Sequence, residues 1–317
     1  MGLAERIVSM LRVRSSEALP DWLMQALDSM YPRSKRRLLR IHPGRAARNR
    51  DVPRFAAFSM NDGNAPGPAA IADDMLGPIG SAAPLWIAPG EARALLTLAS
   101  AGEVRYLLEM EGAGRIDASS DLPALAVIAS RYYERLLDFE TDPLTRLYNR
   151  RAFHSHVEVV LRRAHGGARY VAKVDSDHFK RVNDRLGHLY GDEILVRFGA
   201  LLRDTLREGD FVYRFGGEEF VVVFEIEREA DPARTLERLR EAVQRYDFPG
   251  VGEVTVSIGY ARVWAGGSTP AATLIDRADQ ALYFAKGHGR NQVHCWEALV
   301  AEGSLKLAAP AADVTLF

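Results

Sequence analysis

Apolar residues recur along this chain with different periods, and the changes of period divide it into regions. From Met1 to about Pro32, Ile7, Met10 and Leu11, then Trp22, Leu23, Ala26, Leu27 and Met30, stand at helical spacing. They predict one or two amphipathic helices packed on a core. Arg37 to Ile41 and Arg54 to Phe58 read as short strands, and Asn61 to Pro89, rich in Gly, Ala and Pro, reads mostly as loop. Two further runs, Arg93 to Leu98 and Val104 to Met110, flank Ser100, Ala101, Gly102 and Glu103, the pattern of a β-hairpin. The N-terminal part is thus predicted to be mixed α/β.

Between Leu122 and Phe139 the residues Leu122, Leu125, Ala129, Tyr132, Leu136 and Phe139 follow spacings of 3, 4, 3, 4 and 3. This is the seam of a coiled coil, such as a signalling helix would use. It is equally the stripe of one amphipathic helix docked on its own domain, since so short a seam pairs weakly by itself. Asp142-Pro143 ends the helix, because proline pushes the preceding residue out of the helical region; a domain boundary is expected there. Beyond it, strands and helices alternate. Val171 to Val174 is a short apolar run, and Ile194, Leu195, Phe198, Leu201 and Leu202 form a helical face. Phe211 to Phe215 and Phe220 to Phe224 read as strands joined at Gly216-Gly217; Leu236, Leu239 and Val243 mark a helix and Val254 to Tyr260 a strand. The fold class expected is α/β, a central sheet flanked by helices. From about Ala301 to Phe317 the residues are small and weakly patterned, as in a loose tail.

Composition changes this picture little. The chain of 317 residues has room for two domains, and 41 basic against 42 acidic residues give no global attraction to nucleic acid or an anionic membrane. The charge is uneven, however: from Arg33 to Arg50 the chain carries Arg33, Lys35, Arg36, Arg37, Arg40, Arg45, Arg48 and Arg50, with no acid among them until Asp51. Such a run is either a solvated basic face or an anion-binding, regulatory surface. The single cysteine, Cys295, excludes an internal disulfide and has no zinc-site spacing around it. No window approaches the roughly 20 apolar residues of a membrane span. Glu5, Arg6, Arg12 and Arg14 break up any signal-peptide core, so a cytoplasmic location is expected.

The candidate chemistry lies in the second half. Gly216-Gly217-Glu218-Glu219 predicts a tight hairpin that projects adjacent carboxylates at a sheet edge, either as a solvated turn or as a site. Asp175-Ser176-Asp177 closes the strand Val171 to Val174, where α/β folds place ligands. If the two clusters converge, their hard oxygens suit Mg²⁺ with a substrate phosphate; Asp177 is also a candidate helix N-cap. His178, Phe179 and Lys180 then enter a helix whose first N–H groups attract phosphate. Lys286 and Arg290, four apart near a helix end, either grip a polyphosphate or form a solvated basic end.

Together these residues resemble the GGDEF family of diguanylate cyclases from Asp142 to Trp296, about half the chain. The matching pieces stand in family order. They are Asp142-Pro143-Leu144-Thr145 with Leu147, Asn149 and Arg150; Asp175 to Lys180 with Asn183, Asp184, Gly187, His188, Gly191 and Asp192; Arg214 to Phe220; Ser257-Ile258-Gly259; and Ala278-Asp279, Ala281-Leu282-Tyr283, Ala285-Lys286 and Gly289-Arg290-Asn291. The N-terminal order of helix, strand, strand, hairpin and helix is similar to that of the GAF sensory fold.

The resemblance implies synthesis of cyclic di-GMP from two GTP, with Glu218 and Lys180 as catalytic residues. It implies that Asp175, the carbonyl of Ser176, Glu218 and Glu219 hold metal, Mg²⁺ or Mn²⁺, two ions per site. Asn183 and Asp192 would contact guanine with His188 close by, and Phe179, Lys286 and Arg290 would complete the substrate site. Arg207 and Asp210, an R-x-x-D before Gly216, coincide with the family's inhibitory product site. A homodimer would bring two GTP-loaded domains face to face. The expected division is a regulatory domain at 1–120 with an unknown sensory ligand or partner protein, a signalling helix at 121–141, the cyclase at 142–298 and a tail at 299–317. Departures are mild: Glu218 replaces aspartate, and Ser176 replaces an apolar residue whose expected contact uses only the backbone. A non-catalytic cyclic di-GMP or GTP receptor and an interaction scaffold are the alternative functions.

Overall fold

The computed structural model describes residues 2–43, 55–59, 68–69, 83–87, 93–100, 103–111, 120–162, 167–207, 209–226, 231–264 and 269–305. The chain divides into two compact units: residues 1–141 with 151–166, and 142–150 with 167–317.

The first unit opens with helices α1 (Leu3–Met10) and α2 (Leu19–Met30), followed by β1 (Lys35–Pro43), β2 (Phe55–Ser59), β3 (Pro68–Ala69), β4 (Leu85–Ile87), β5 (Arg93–Ser100) and β6 (Glu103–Glu111). Helices α3 (Asp121–Glu140) and α4 (Arg150–Arg162) complete it. Its strands form an antiparallel sheet in the order β3-β2-β1-β6-β5-β4. The hairpin expected around Ser100 to Glu103 is β5 and β6, although residues 101–102 lie outside the described residues. Part of the stretch read as loop is strand instead: Leu85–Ile87 pairs with β5, a register that local composition does not signal. The stripe on α3 faces this unit's own core. Leu122, Leu125, Ala129 and Leu136 are buried with Leu23, Leu96 and Tyr106, while Phe139 is exposed, which is the docked-helix reading of the 3–4 spacing. At the end of α3 a buried Glu140 meets His156 of α4 at 2.9 Å and accepts the Ser16 N–H. The basic run is partly neutralised: Arg37 pairs with Glu109 at 2.6 Å and Arg36 with Asp28, whereas residues 44–50 lie outside the described residues.

The second unit comprises β7 (Tyr148–Asn149), β8 (Ala168–Ser176), α5 (Phe179–Leu186), α6 (His188–Thr205), β9 (Phe211–Gly216), β10 (Glu219–Ile226), α7 (Pro232–Arg245), β11 (Val256–Val263), α8 (Ala271–Gly287), β12 (Val293–Cys295) and α9 (Trp296–Ala301). The sheet order is β12-β11-β8-β10-β9-β7, so β8 lies in the interior and is buried on both faces. On one face Tyr170, Ala172, Val174, Phe220, Val222 and Ile258 pack under α6 and α7 through Phe198, Leu202, Leu236 and Leu239. Each Val, Leu, Ile or Phe side chain among them contributes about 1.5–3 kcal/mol when removed from water. The period of two sends Lys173 and Asp175 to the other face, where α8 packs. Gly259 and Ala261 on β11 leave room for the α8 backbone to come close. The short strands β7 and β12 carry too few residues for a period to reveal them. Among the described residues no helix is long and apolar enough to cross a membrane. The tail beyond Leu305 lies outside the described residues.

Candidate active site

Because β8 ends in Asp175-Ser176 and pairs antiparallel with both neighbours, the ends of three strands meet there. Glu219 of β10 and Ser257 of β11 stand directly opposite Asp175. Gly217, with φ of 25°, and Glu218 turn the chain between β9 and β10 beside it. The Arg214 guanidinium donates to the Gly217 carbonyl at 3.1 and 3.0 Å and reaches the Asp142 carboxylate at 3.1 Å. The turn is thereby tied to the segment that follows α3. Burial pushes the Asp142 carboxyl up, but the Thr145 amide and hydroxyl and the Arg214 charge outweigh it and hold it below the usual range.

The two acidic clusters converge as expected. Burial raises the Asp175 carboxyl, opposed by the hydrogen bond and charge of Lys286, whose Nζ lies 2.7 Å from Oδ1. Burial and the neighbouring Asp175 charge raise Glu218 as well. Two neighbouring carboxylates raised mainly by burial, with the Lys286 ammonium beside them, make a donor set that gains from a divalent cation. Glu219, also expected to bind metal, has its Oε1 held at 2.9 Å by Lys173, which in turn contacts Asp279 of α8. Burial pulls the Lys173 ammonium down, but Asp279 and Glu219 together push it above the ordinary lysine value.

Asp177 does not cap α5. The cap is His178, in the left-handed conformation and without a side-chain bond. Asp177 instead accepts from the hydroxyls of Thr255 (2.8 Å) and Ser257 (2.7 Å) and from the Asn291 N–H (3.0 Å). That fixes the loop bearing Arg290, which is exposed at φ 63°. Lys180 is exposed on α5, and Phe179 puts its ring into the core, leaving only its backbone at the helix start. Asn183 packs against Gly191, the residue before Asp192, where α5 meets α6. Its Oδ1 is buried without a hydrogen-bond partner among the described residues. His188 and Asp192 are exposed in the first turns of α6.

Residues 139–292 match the family model described as diguanylate cyclase, GGDEF domain. The chain carries a GGDEF domain. It is similar to the diguanylate cyclase DgcP of Pseudomonas aeruginosa, 39% identical over 195 residues that make up 58% of this chain and 29% of DgcP. It is also similar to the response regulator PleD of Caulobacter vibrioides, 40% identical over 160 residues, 48% of this chain and 35% of PleD. The chain therefore spans about a third of the length of these curated relatives. Among solved structures, the coiled coil and GGDEF domain of DgcB from Caulobacter crescentus in complex with c-di-GMP is 32% identical, with a TM-score of 0.46 over 56% of this chain and 100% of that one.

In this GGDEF domain Arg207 and Asp210 stand apart from the carboxylates. Asp210 accepts the Arg207 N–H at 2.9 Å and the Glu225 N–H at 3.3 Å. Glu225 is six residues along β10 from Glu219, roughly 20 Å of strand. Burial, only partly offset by those two N–H donors, raises the Asp210 carboxyl to about 6. Sequence reasoning missed Lys173 and the clamp on Asp177, and it quoted Asp279 within a motif without giving it a partner. A signal for the first was present, since Lys173 is a lone charge inside the apolar run Tyr170 to Val174.

Proposed function

We propose that this protein condenses two GTP into cyclic di-GMP and two pyrophosphates. The observation that carries the reading is the convergence of Asp175 and Glu218 at one strand end beside Lys286. In each of two equivalent steps the ribose 3′-oxygen of one GTP bonds to the α-phosphorus of the other, the bond to pyrophosphate breaks, and the 3′-hydroxyl proton leaves to a base. Asp175, the Ser176 carbonyl and Glu218 would hold divalent cations, Mg²⁺ or Mn²⁺, two per site; bound there, the ions would supply positive charge for the phosphates and lower the pKa of the attacking hydroxyl.

Glu218 accepts the 3′-hydroxyl proton, its raised carboxyl bringing it nearer the working pH. Lys180 and Arg290 neutralise the triphosphate, and Lys286 exchanges Asp175 for a phosphate oxygen when substrate arrives. Asn183 and Asp192 accept the donor edge of guanine, with His188 beside them, and so select GTP over ATP. Each domain holds one GTP, so ring closure takes two domains face to face, a homodimer that aligns nucleophile and phosphorus. The unit containing residues 1–120 serves as a GAF-like regulatory domain for an unknown ligand or partner, and residues 121–141 pass its state on. A cytoplasmic location follows from the demand for GTP. The test is incubation of purified protein with GTP and Mg²⁺: cyclic di-GMP with two pyrophosphates per product is expected, and nucleotide binding without turnover would leave a receptor.

Gly191→Ala probes the guanine contact. An added Cβ would strike Asn183 Oδ1 and come within 3.2 Å of the Phe179 ring, so Asn183 must shift. KM for GTP is expected to rise about tenfold and discrimination against ATP to fall, with kcat changed less. An unchanged KM would remove Asn183 from the site.

Cyclic di-GMP also inhibits by binding Arg207 and Asp210. Because folding raises the Asp210 pKa, the neutral form is the one the fold favours: stability from this group is complete below its unfolded value near 3.8 and is lost as pH rises through about 6. Product recognition needs the ionised form as acceptor. Noncompetitive inhibition is therefore expected at pH 8 and should weaken severalfold below pH 6, about one unit being a tenfold change in ionised fraction. Inhibition independent of pH over that range, or unaltered in Arg207→Ala, would place the inhibitory site elsewhere.

A further inference from the structure

Lys173 stands in the interior strand β8, two residues before Asp175 and on the same face, its side chain 11% exposed. Its ammonium reaches Glu219 Oε1 of β10 at 2.9 Å and Asp279 of α8. Seven residues further along α8, and so two turns away on the same side, Lys286 contacts Asp175. Two lysine–carboxylate links thus run side by side between the sheet and α8. The outer one uses a lysine side chain that is 33% exposed; the inner one uses a lysine side chain that is 11% exposed. Register places Glu219 directly opposite Asp175, a like-charge pair that is unfavourable unless something offsets it. Lys173 offsets it at Glu219, as Lys286 does at Asp175.

We propose that Lys173 is a positioning residue that holds Glu219 against α8, cancelling its charge and keeping it out of the metal-binding pair Asp175 and Glu218. Glu219 then shapes the field at the site without ligating through Oε1. Without the ammonium, three carboxylates crowd one strand end, and Glu219 turns toward the cation. The inference rests on the cyclase reading only in taking Asp175 and Glu218 as metal ligands.

The experiment titrates Mn²⁺ into the nucleotide-free full chain, followed by electron paramagnetic resonance, with thermal melting of each variant. Lys173→Met keeps the unbranched stem and removes the charge, and Glu219 and Asp279, at 39% and 50% exposure, stay hydrated. Lys173→Met is expected to bind Mn²⁺ about tenfold more tightly, from one added negative charge near a divalent ion. Adding Glu219→Gln to it should return affinity to within about threefold of the parent, while Glu219→Gln alone, its carboxylate already held by Lys173, changes affinity by less than about threefold; that non-additivity is the signature of coupling between the two positions. Should Lys173→Met fail to fold, Lys173→Gln serves with the same expectation. Affinity unchanged within about twofold, or tightening that survives Glu219→Gln, overturns the proposal. Because no GTP is present, the two readings fail separately. Metal binding that follows the cycle in a protein making no cyclic di-GMP removes the cyclase alone; an active cyclase without the cycle removes the role of Lys173 alone.

Discussion

Glu218→Gln is expected to lower cyclic di-GMP synthesis by about a thousandfold or more, some 4 kcal/mol of transition-state stabilisation, while the protein stays folded. Glutamine keeps the shape of the side chain, and the turn that carries it is held through Gly217 and Arg214 rather than through the carboxylate. What disappears is one of the carboxylate charges beside the end of β8 and, on the proposed mechanism, the group that takes the 3′-proton. GTP binding through Asn183, Asp192 and the basic residues should persist within a few-fold, so the loss falls on kcat rather than KM. The measurement is single-turnover synthesis with GTP affinity determined in parallel. Activity within tenfold of the parent would remove Glu218 from the chemistry, and equal losses in binding and turnover would make it a binding group only.

Gly259→Ala should be the most damaging small substitution for stability. A Cβ there would lie 2.7 Å from the Ala281 carbonyl carbon and closer still to the Leu282 nitrogen and the Ala278 oxygen. All three are backbone atoms of α8, which cannot swing aside as a side chain can, so the helix must lift from the sheet. The expected cost is about 3 kcal/mol, the upper end of what overpacking a core usually costs. Lifting α8 also moves Lys286 off Asp175 and Asp279 off Lys173, so turnover should fall even below the melting temperature. Thermal unfolding with calorimetry checks this, and a melting temperature within about 2 °C of the parent would show that α8 accommodates the methyl group.

The stability cost at Gly259 could not be read from Ser257-Ile258-Gly259 as a string. A glycine in a strand signals only that something approaches closely; that the neighbour is the backbone of α8 is known once β11 and α8 are stacked. Lys173 teaches the same lesson, since its isolation in an apolar strand was visible but its partners Glu219 and Asp279 lie 46 and 106 positions away. A helix cap is the local alternative that sequence offers for Asp177, because local partners are all that a sequence shows. Its real donors come from β11 and from the loop after α8.

By itself the sequence determined the alternation of strands and helices in the second unit, the break at Asp142-Pro143, the stripe on α3 and the two acidic clusters. These follow from period, from proline sterics and from which side chains can carry negative charge, all properties of residues near one another in the chain. Tertiary structure alone decided that the α3 stripe is spent on its own sheet, that Leu85–Ile87 pairs as a strand, and that Asp175 has Lys286 and Glu219 has Lys173 for company. The reason is physical: a charge or an apolar face specifies the kind of partner it needs, and only the packing of sheet and helices specifies which one it meets.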